Sequence, residues 1–171
     1  FGWKHAIATS SGTDAGIVAW SAVRELGGFN HAALEEDGDY GLQPTFGKVI
    51  TPACAFVATA NCLLAAGLKP RFIDVDLETL NMRLLEFADV QSVGDILGIQ
   101  FVATMGKPTS IGQIAAAADK HNLYLISDSC EAHGAMLLGG RQYADRYADA
   151  AIYSFFAAHM IVAGEGGMIC T

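Results

Sequence analysis

The sequence predicts a three-layer α/β fold, a mostly parallel sheet with helices on both faces. Short apolar, β-rich runs alternate with longer Ala- and Leu-rich stretches along the chain. Glycine and proline stand where such stretches should stop, and 52% of the 171 residues are hydrophobic against 16% charged, enough for a substantial core. Strands spaced by helices imply right-handed crossovers, hence parallel pairing.

In chain order, Ala6-Ile7-Ala8-Thr9 is a short strand, and Ser11-Gly12-Thr13 opens a helix over Asp14 to Leu26. The residues from Gly27 to Gly47, rich in glycine and acids, form an exposed loop or insertion. Val49-Ile50-Thr51 is a strand, followed by a helix from about Val57 to Ala66 that Gly67 and Pro70 stop. A strand over Arg71 to Val75 and another over Gly98 to Ala103 precede a helix over Ile111 to His121. Leu123 to Ser127 is an apolar strand ending at Asp128, Ala150 to Ser154 is the next, and a last begins near Gly167. No run reaches the roughly 20 apolar residues of a membrane span. The start, Phe1-Gly2-Trp3-Lys4-His5, lacks a signal-peptide layout, so a cytoplasmic protein is expected. The chain opens almost directly on a strand and stops at Met168-Ile169-Cys170-Thr171, apparently within another, so residues 1–171 read as an incomplete domain of a longer protein.

Ten Lys and Arg against 18 Asp and Glu give a net charge of −8, which repels polyphosphate backbones and excludes nucleic acid as the main partner. A small anion can still be held by a few backbone amides. Cys54, Cys62, Cys130 and Cys170 form no CxxC and no zinc-finger spacing, so no metal site is expected, and they read as isolated buried thiols in a reduced compartment.

In open parallel sheets, ligands sit at the carboxyl ends of the strands. Ser10-Ser11-Gly12-Thr13-Asp14 joins a strand to a helix there, as either a plain N-cap or a phosphate-binding turn at the positive end of a helix. Asp128, directly after a strand, either caps the next turn or pairs with a protonated ring nitrogen. Phe56 is either core or a surface for stacking on an aromatic ring, and Ser154 ends a strand as a further phosphate donor.

The segments SSGTDA, PACAFVATA, FIDVDLETLN, LISDSCEAHGA and YSFFAAHMIVAGEGGMICT together resemble the DegT-type sugar-nucleotide aminotransferases across nearly the whole chain. The resemblance implies an aspartate-aminotransferase-like large, cofactor-binding domain, pyridoxal or pyridoxamine 5′-phosphate as cofactor, and a homodimer with active sites at the subunit interface. It also implies that an N-terminal stretch and a C-terminal small domain lie outside residues 1–171. Carried over by position, Gly12 and Thr13 supply backbone contacts to the cofactor phosphate and Ser154 a hydroxyl. Phe56 stacks on the ring, Asp128 pairs with its nitrogen, and Glu131 falls where aminotransferases often have Gln. Thr59 and Asn81 match recurrent positions without an assigned chemistry.

One departure bears on mechanism. The aminotransferases place the lysine that bonds to the cofactor five residues after this serine, and here that position is His159. Imidazole forms no such bond but moves protons near neutral pH. In this respect, and in Asp128-Ser129-Cys130-Glu131, the chain resembles the dehydratase branch, which removes the C3 hydroxyl of nucleotide-linked 4-keto-6-deoxyhexoses. That branch regenerates its cofactor with glutamate, or with a [2Fe–2S] cluster and a partner reductase; cluster ligands would lie C-terminal to this region. The alternatives are a sugar aminotransferase whose lysine is lost or relocated, and a catalytically silent homologue. Lys107 lies in another loop and is a poor substitute for the missing lysine.

Overall fold

The structure is a computed structural model that describes residues 2–27, 47–83, 96–137 and 145–171. Apart from its two end residues, the insertion expected over 27–47 lies outside them. The elements are β1 (Ala6–Thr9), α1 (Gly12–Leu26), β2 (Lys48–Pro52), α2 (Val57–Ala65), β3 (Lys69–Ile73), β4 (Ile96–Val102), α3 (Ile111–His121), β5 (Tyr124–Asp128), β6 (Ala150–Ser154) and β7 (Gly167–Cys170).

The strands form one seven-stranded sheet in the order β1-β7-β6-β5-β4-β2-β3. The pairs from β3 through β6 are parallel, while β7 runs antiparallel to both β6 and β1. Helices cover both faces. On one, Ala15, Ala19, Trp20 and Val23 of α1 and Cys62 and Leu63 of α2 pack on Val49, Ile126, Ile152 and Ile169. On the other, Ile111, Ile114 and Ala118 of α3 pack on Ile50, Ile99, Phe101 and Leu125. The neighbours Val49 and Ile50, like Ile126 and Leu125, go to opposite faces, as the pleat requires. Burial on both sides is why these strands read as unbroken apolar runs.

Trp20, fully buried, occupies the space a side chain at residue 98 would need: a Cβ on Gly98 would lie 2.9 Å from the Trp20 ring and 2.5 Å from the Tyr124 carbonyl oxygen. The expected boundaries shift by small, explicable amounts. Helix α1 begins at Gly12 rather than Asp14 because Ser11 is its N-cap, its Oγ accepting the Asp14 amide at 3.0 Å. Strand β3 spans Lys69–Ile73, not Arg71–Val75, and so includes Pro70. A proline is tolerated there because β3 is the sheet edge. Val75 makes only an isolated bridge to Met82. After α2, Gly67 takes the left-handed conformation (φ +77°) and the Leu68 amide donates back to the Leu63 carbonyl at 2.9 Å, the expected glycine stop. Among the described residues no helix is long and apolar enough to cross a membrane.

Candidate active site

The turn after β1, the loop after β2 and the ends of β5 and β6 meet around one cavity of about 590 Å³. Gly12, Thr13, Phe56, Asp128, Glu131, Ser154 and His159 all line it. The sequence separates these residues by up to 147 positions; the parallel strands bring them together because their carboxyl ends share one edge.

The β1–α1 turn is an N-cap, one of the two readings the sequence left open, and its residues Gly12 and Thr13 line the cavity. Ser11 takes the Asp14 amide on its hydroxyl and the Ala15 amide on its carbonyl, at 3.0 Å each. The Asp14 carboxylate accepts the hydroxyls of Ser10 and of Ser11, the latter at 2.9 Å, and these two bonds hold it below the usual carboxylate range. The first-turn amides of Gly12 and Thr13 stand at the cavity, at the positive end of the helix. Two close approaches shape this corner. A Cβ on Gly12 would lie 2.5 Å from Ser154 Cβ and 3.2 Å from Cys130 Sγ, and one on Gly167 would lie 2.2 Å from the Ser11 carbonyl oxygen.

Asp128 closes β5 with its side chain half-buried. Its Oδ2 accepts the Thr59 hydroxyl at 2.8 Å and its Oδ1 the Cys130 amide at 3.3 Å. Thr59, a recurrent family position with no assigned chemistry, therefore orients the carboxylate from the first turn of α2. Glu131 accepts the Met105 amide at 2.6 Å, tying the β5 loop to the 3₁₀ turn Thr104–Gly106. Asn81 serves the same turn from below, accepting the Thr104 amide at 3.3 Å and donating to the Lys107 carbonyl at 3.2 Å. The Ser154 Oγ accepts the Phe156 amide at 3.3 Å.

Phe56 is not core. It stands 74% exposed at the N-cap of α2, on the cavity rim, because β2 ends four residues earlier and the loop turns outward. His159 is half-buried, its ring edge-on to Phe156 at 6.0 Å and its Nδ1 buried without a hydrogen-bond partner among the described residues. No lysine is among the described residues lining the cavity; Lys107 instead directs its ammonium to the Glu78 carbonyl at 3.4 Å.

Sequence reasoning passed over Glu165 and Gln100, which line the cavity together with Cys130. Cys54 also differs from expectation, being exposed in the β2–α2 loop rather than buried. The Cys130 and Cys62 thiols are pushed up, first by burial and then by the Asp128 charge, Cys62 to about 12. They stay protonated beside Asp128 and are poor nucleophiles.

A cavity at the carboxyl edge of a mostly parallel sheet, with helices on both faces, places the chain in the class of α/β domains. The chain belongs to the DegT/DnrJ/EryC1/StrS aminotransferase family, whose model matches residues 1–171. It is 33% identical over 99% of its length to the lipopolysaccharide biosynthesis protein RfbH of Salmonella typhimurium, covering 36% of that protein. It is 31% identical over 100% of its length to the dTDP-4-dehydro-2,6-dideoxy-D-glucose 3-dehydratase of Saccharopolyspora spinosa, covering 34% of it. The solved E. coli GDP-4-keto-6-deoxy-D-mannose-3-dehydratase with bound hydrated PLP superposes with a TM-score of 0.78 at 27% identity, over 100% of this chain and 40% of that one. Aminotransferases stand beside dehydratases among the relatives. The chain spans about a third of the length of these curated relatives.

Proposed function

We propose that residues 1–171 are most of the cofactor-binding large domain of an enzyme that uses pyridoxamine phosphate to dehydrate a nucleotide-linked 4-keto-6-deoxyhexose at C3. The observation that carries this reading is the cavity itself: the helix-opening turn at Gly12 against Ser154, a strand-end carboxylate and an imidazole, with no lysine among its described lining. Two features support the fit of the cofactor. The corner between Gly12 and Ser154 exists only because residue 12 lacks a Cβ, and it is lined by first-turn amides and a hydroxyl, the donors a phosphate monoester needs. Asp128 meets the cavity with both carboxylate oxygens already oriented by donors, which fixes the direction of the group that would face the ring nitrogen.

Gly12, Thr13 and Ser154 would hold the phosphate, Phe56 would cover the ring and Asp128 would keep its nitrogen protonated. When bound, the cofactor supplies an amine for the sugar ketone and an electron sink for the carbons beside it. His159 supplies the proton transfer. Its Nδ1 is buried, so Nε2 would be the atom that takes a proton from the carbon bearing the cofactor's amine and passes it to the C3 hydroxyl. That hydroxyl would leave as water, its bonding electron pair replaced by the pair that the C–H bond released. Glu131, committed to the Met105 amide, holds the 3₁₀ turn that contributes Thr104 and Met105 to the cavity lining. The exposed apolar residues Phe56, Met160, Ile161 and Val162 support a homodimer in which a second copy closes this side. The reaction is placed in the cytoplasm, with turnover completed by glutamate or by a [2Fe–2S] cluster and partner reductase.

Incubating the full-length protein with pyridoxamine phosphate and GDP- or dTDP-linked 4-keto-6-deoxyhexoses tests the reading. Mass spectrometry should show a sugar that has lost the C3 oxygen. A product that has gained nitrogen at C4 would replace dehydration with transamination, and recovery of intact substrate even when glutamate or an iron–sulfur reductase is supplied would favour the silent homologue.

A further inference from the structure

One fully buried polar side chain in the apolar core has no role in the site described so far. Gln100 lies in the middle of β4 between Ile99 and Phe101, with no solvent exposure. An amide buried in such a place is costly unless its hydrogen bonds are made. They are made, and in one direction. The indole Nε1 of Trp20, itself fully buried, donates to Gln100 Oε1. Since indole can only donate, the amide oxygen must face Trp20 and its NH₂ must face the other way. That NH₂ donates to the Thr59 carbonyl at 3.3 Å, where the Cys62 thiol also donates at 3.3 Å. Thr59, 3% exposed, then donates its hydroxyl to Asp128 Oδ2 at 2.8 Å.

We infer that Gln100 is a positioning residue for Asp128, acting through Thr59. This rests on the reading that Asp128 faces a protonated cofactor ring. The N-terminus of α2 has no side-chain cap, since its N-cap is Phe56, so the first turn lacks the anchor that Ser11 gives α1. Gln100 replaces that anchor from the sheet. It pins the Thr59 backbone to β4, and β4 pairs directly with β5 so that Val102 faces Asp128. The threonine hydroxyl and the aspartate carboxylate are thereby referenced to one rigid pair of strands. A carboxylate held this way presents the same oxygen to the cavity in every molecule.

The test is made on the full-length apoprotein with pyridoxal phosphate as the probe, reading its dissociation constant, the absorption spectrum of the bound ring and the thermal midpoint. Thr59→Val removes the hydroxyl with little change of shape, Thr59→Ser retains it, and Gln100→Met keeps the length without the amide. Thr59→Val and Gln100→Met should each weaken binding about tenfold to a hundredfold and shift the spectrum towards the unprotonated ring. Thr59→Ser should bind as the native protein does. The double variant should lose no more than the worse single one, because both changes break one chain of contacts. Native affinity and spectrum in Thr59→Val, or losses that multiply in the double variant, would overturn the inference; Thr59→Val decides it even if Gln100→Met fails to fold. Asp128→Asn separates the two levels. If it abolishes the protonated-ring spectrum while Gln100→Met leaves that spectrum intact, only the positioning role falls. If Asp128→Asn itself changes nothing, the cofactor reading falls and the inference with it.

Discussion

Gly12 and Ser154 approach so closely that a methyl group on Gly12 would stand 2.5 Å from Ser154 Cβ, well inside van der Waals contact. The strand-end hydroxyl and the amides opening α1 thus form one corner whose width is set by a missing side chain. Gly12→Ala should push α1 from β6, costing about 1–3 kcal/mol as overpacked sites do. Pyridoxal phosphate should bind more weakly, because the amides and the hydroxyl no longer converge. Thermal unfolding and cofactor titration of the full-length variant check both effects. Unchanged affinity in a destabilised variant would mean that the corner holds no phosphate.

How far the sequence revealed this site depends on how local each signal is. Helix α3 runs over the expected residues because its apolar period and the left-handed stop at Asn122 are both written within a few positions. Asp128 and Ser154 were legible as strand ends, and Gly12 as the glycine of a strand-to-helix turn. The exposure of Phe56 was not legible, since an aromatic after an apolar strand carries no mark of which way its loop turns. The tie from Glu131 to the Met105 amide also escaped notice, because it joins two loops 26 residues apart that only the pairing of β4 with β5 makes neighbours. Gln100 left a trace, a lone amide within Gly98-Ile99-Gln100-Phe101-Val102, but its partners Trp20 and Thr59 are 80 and 41 positions away. The antiparallel direction of β7 follows from a connection with no crossover helix, a cue that the alternation of strands and helices obscured.

Asp128→Asn keeps the shape of the side chain and its place beside Thr59 but removes its charge. An amide cannot hold the pyridinium proton, so turnover of the full-length enzyme should fall while the thermal midpoint barely moves. Paired measurements of turnover and melting check this. Native turnover would remove Asp128 from the chemistry.

His133 gives the fold an acid-sensitive point. It is buried, its ring lies 6.4 Å from that of His159 and packs beside Tyr153 and Phe155, and neither ring nitrogen has a hydrogen-bond partner among the described residues. Burial first, and then the neighbouring His159, hold its pKa below the ordinary 6.5, against a raising effect from the Ser154 backbone. The folded chain thus takes up this proton less readily than the unfolded one. Its stabilising contribution is complete above about pH 6.5 and is lost as the pH falls through that value towards the lowered folded pKa. Denaturant unfolding at about pH 7.5 and about pH 5.5 should show a smaller midpoint difference in His133→Asn than in the native chain. An equal difference in both would place the acid sensitivity elsewhere.

His159 separates dehydration from transamination, and its chemistry makes the separation sharp. An imidazole can accept and return a proton near neutral pH but offers no primary amine to bond with the cofactor aldehyde. If His159 is the proton-transfer group, borohydride treatment of the full-length protein with pyridoxal phosphate should leave no cofactor on the chain, by intact-mass measurement. His159→Asn should keep cofactor affinity and lose dehydration by about 10²- to 10⁴-fold, the range for one acid–base group. The two readouts must diverge, since a side chain that merely filled the cavity would move both together. His159→Lys supplies the amine at the position where the family resemblance expects it. That variant should trap the cofactor on reduction and shift the product towards the amino sugar. Covalent trapping in the native protein would instead show that a lysine elsewhere serves the site, and the aminotransferase reading would then replace the dehydratase one.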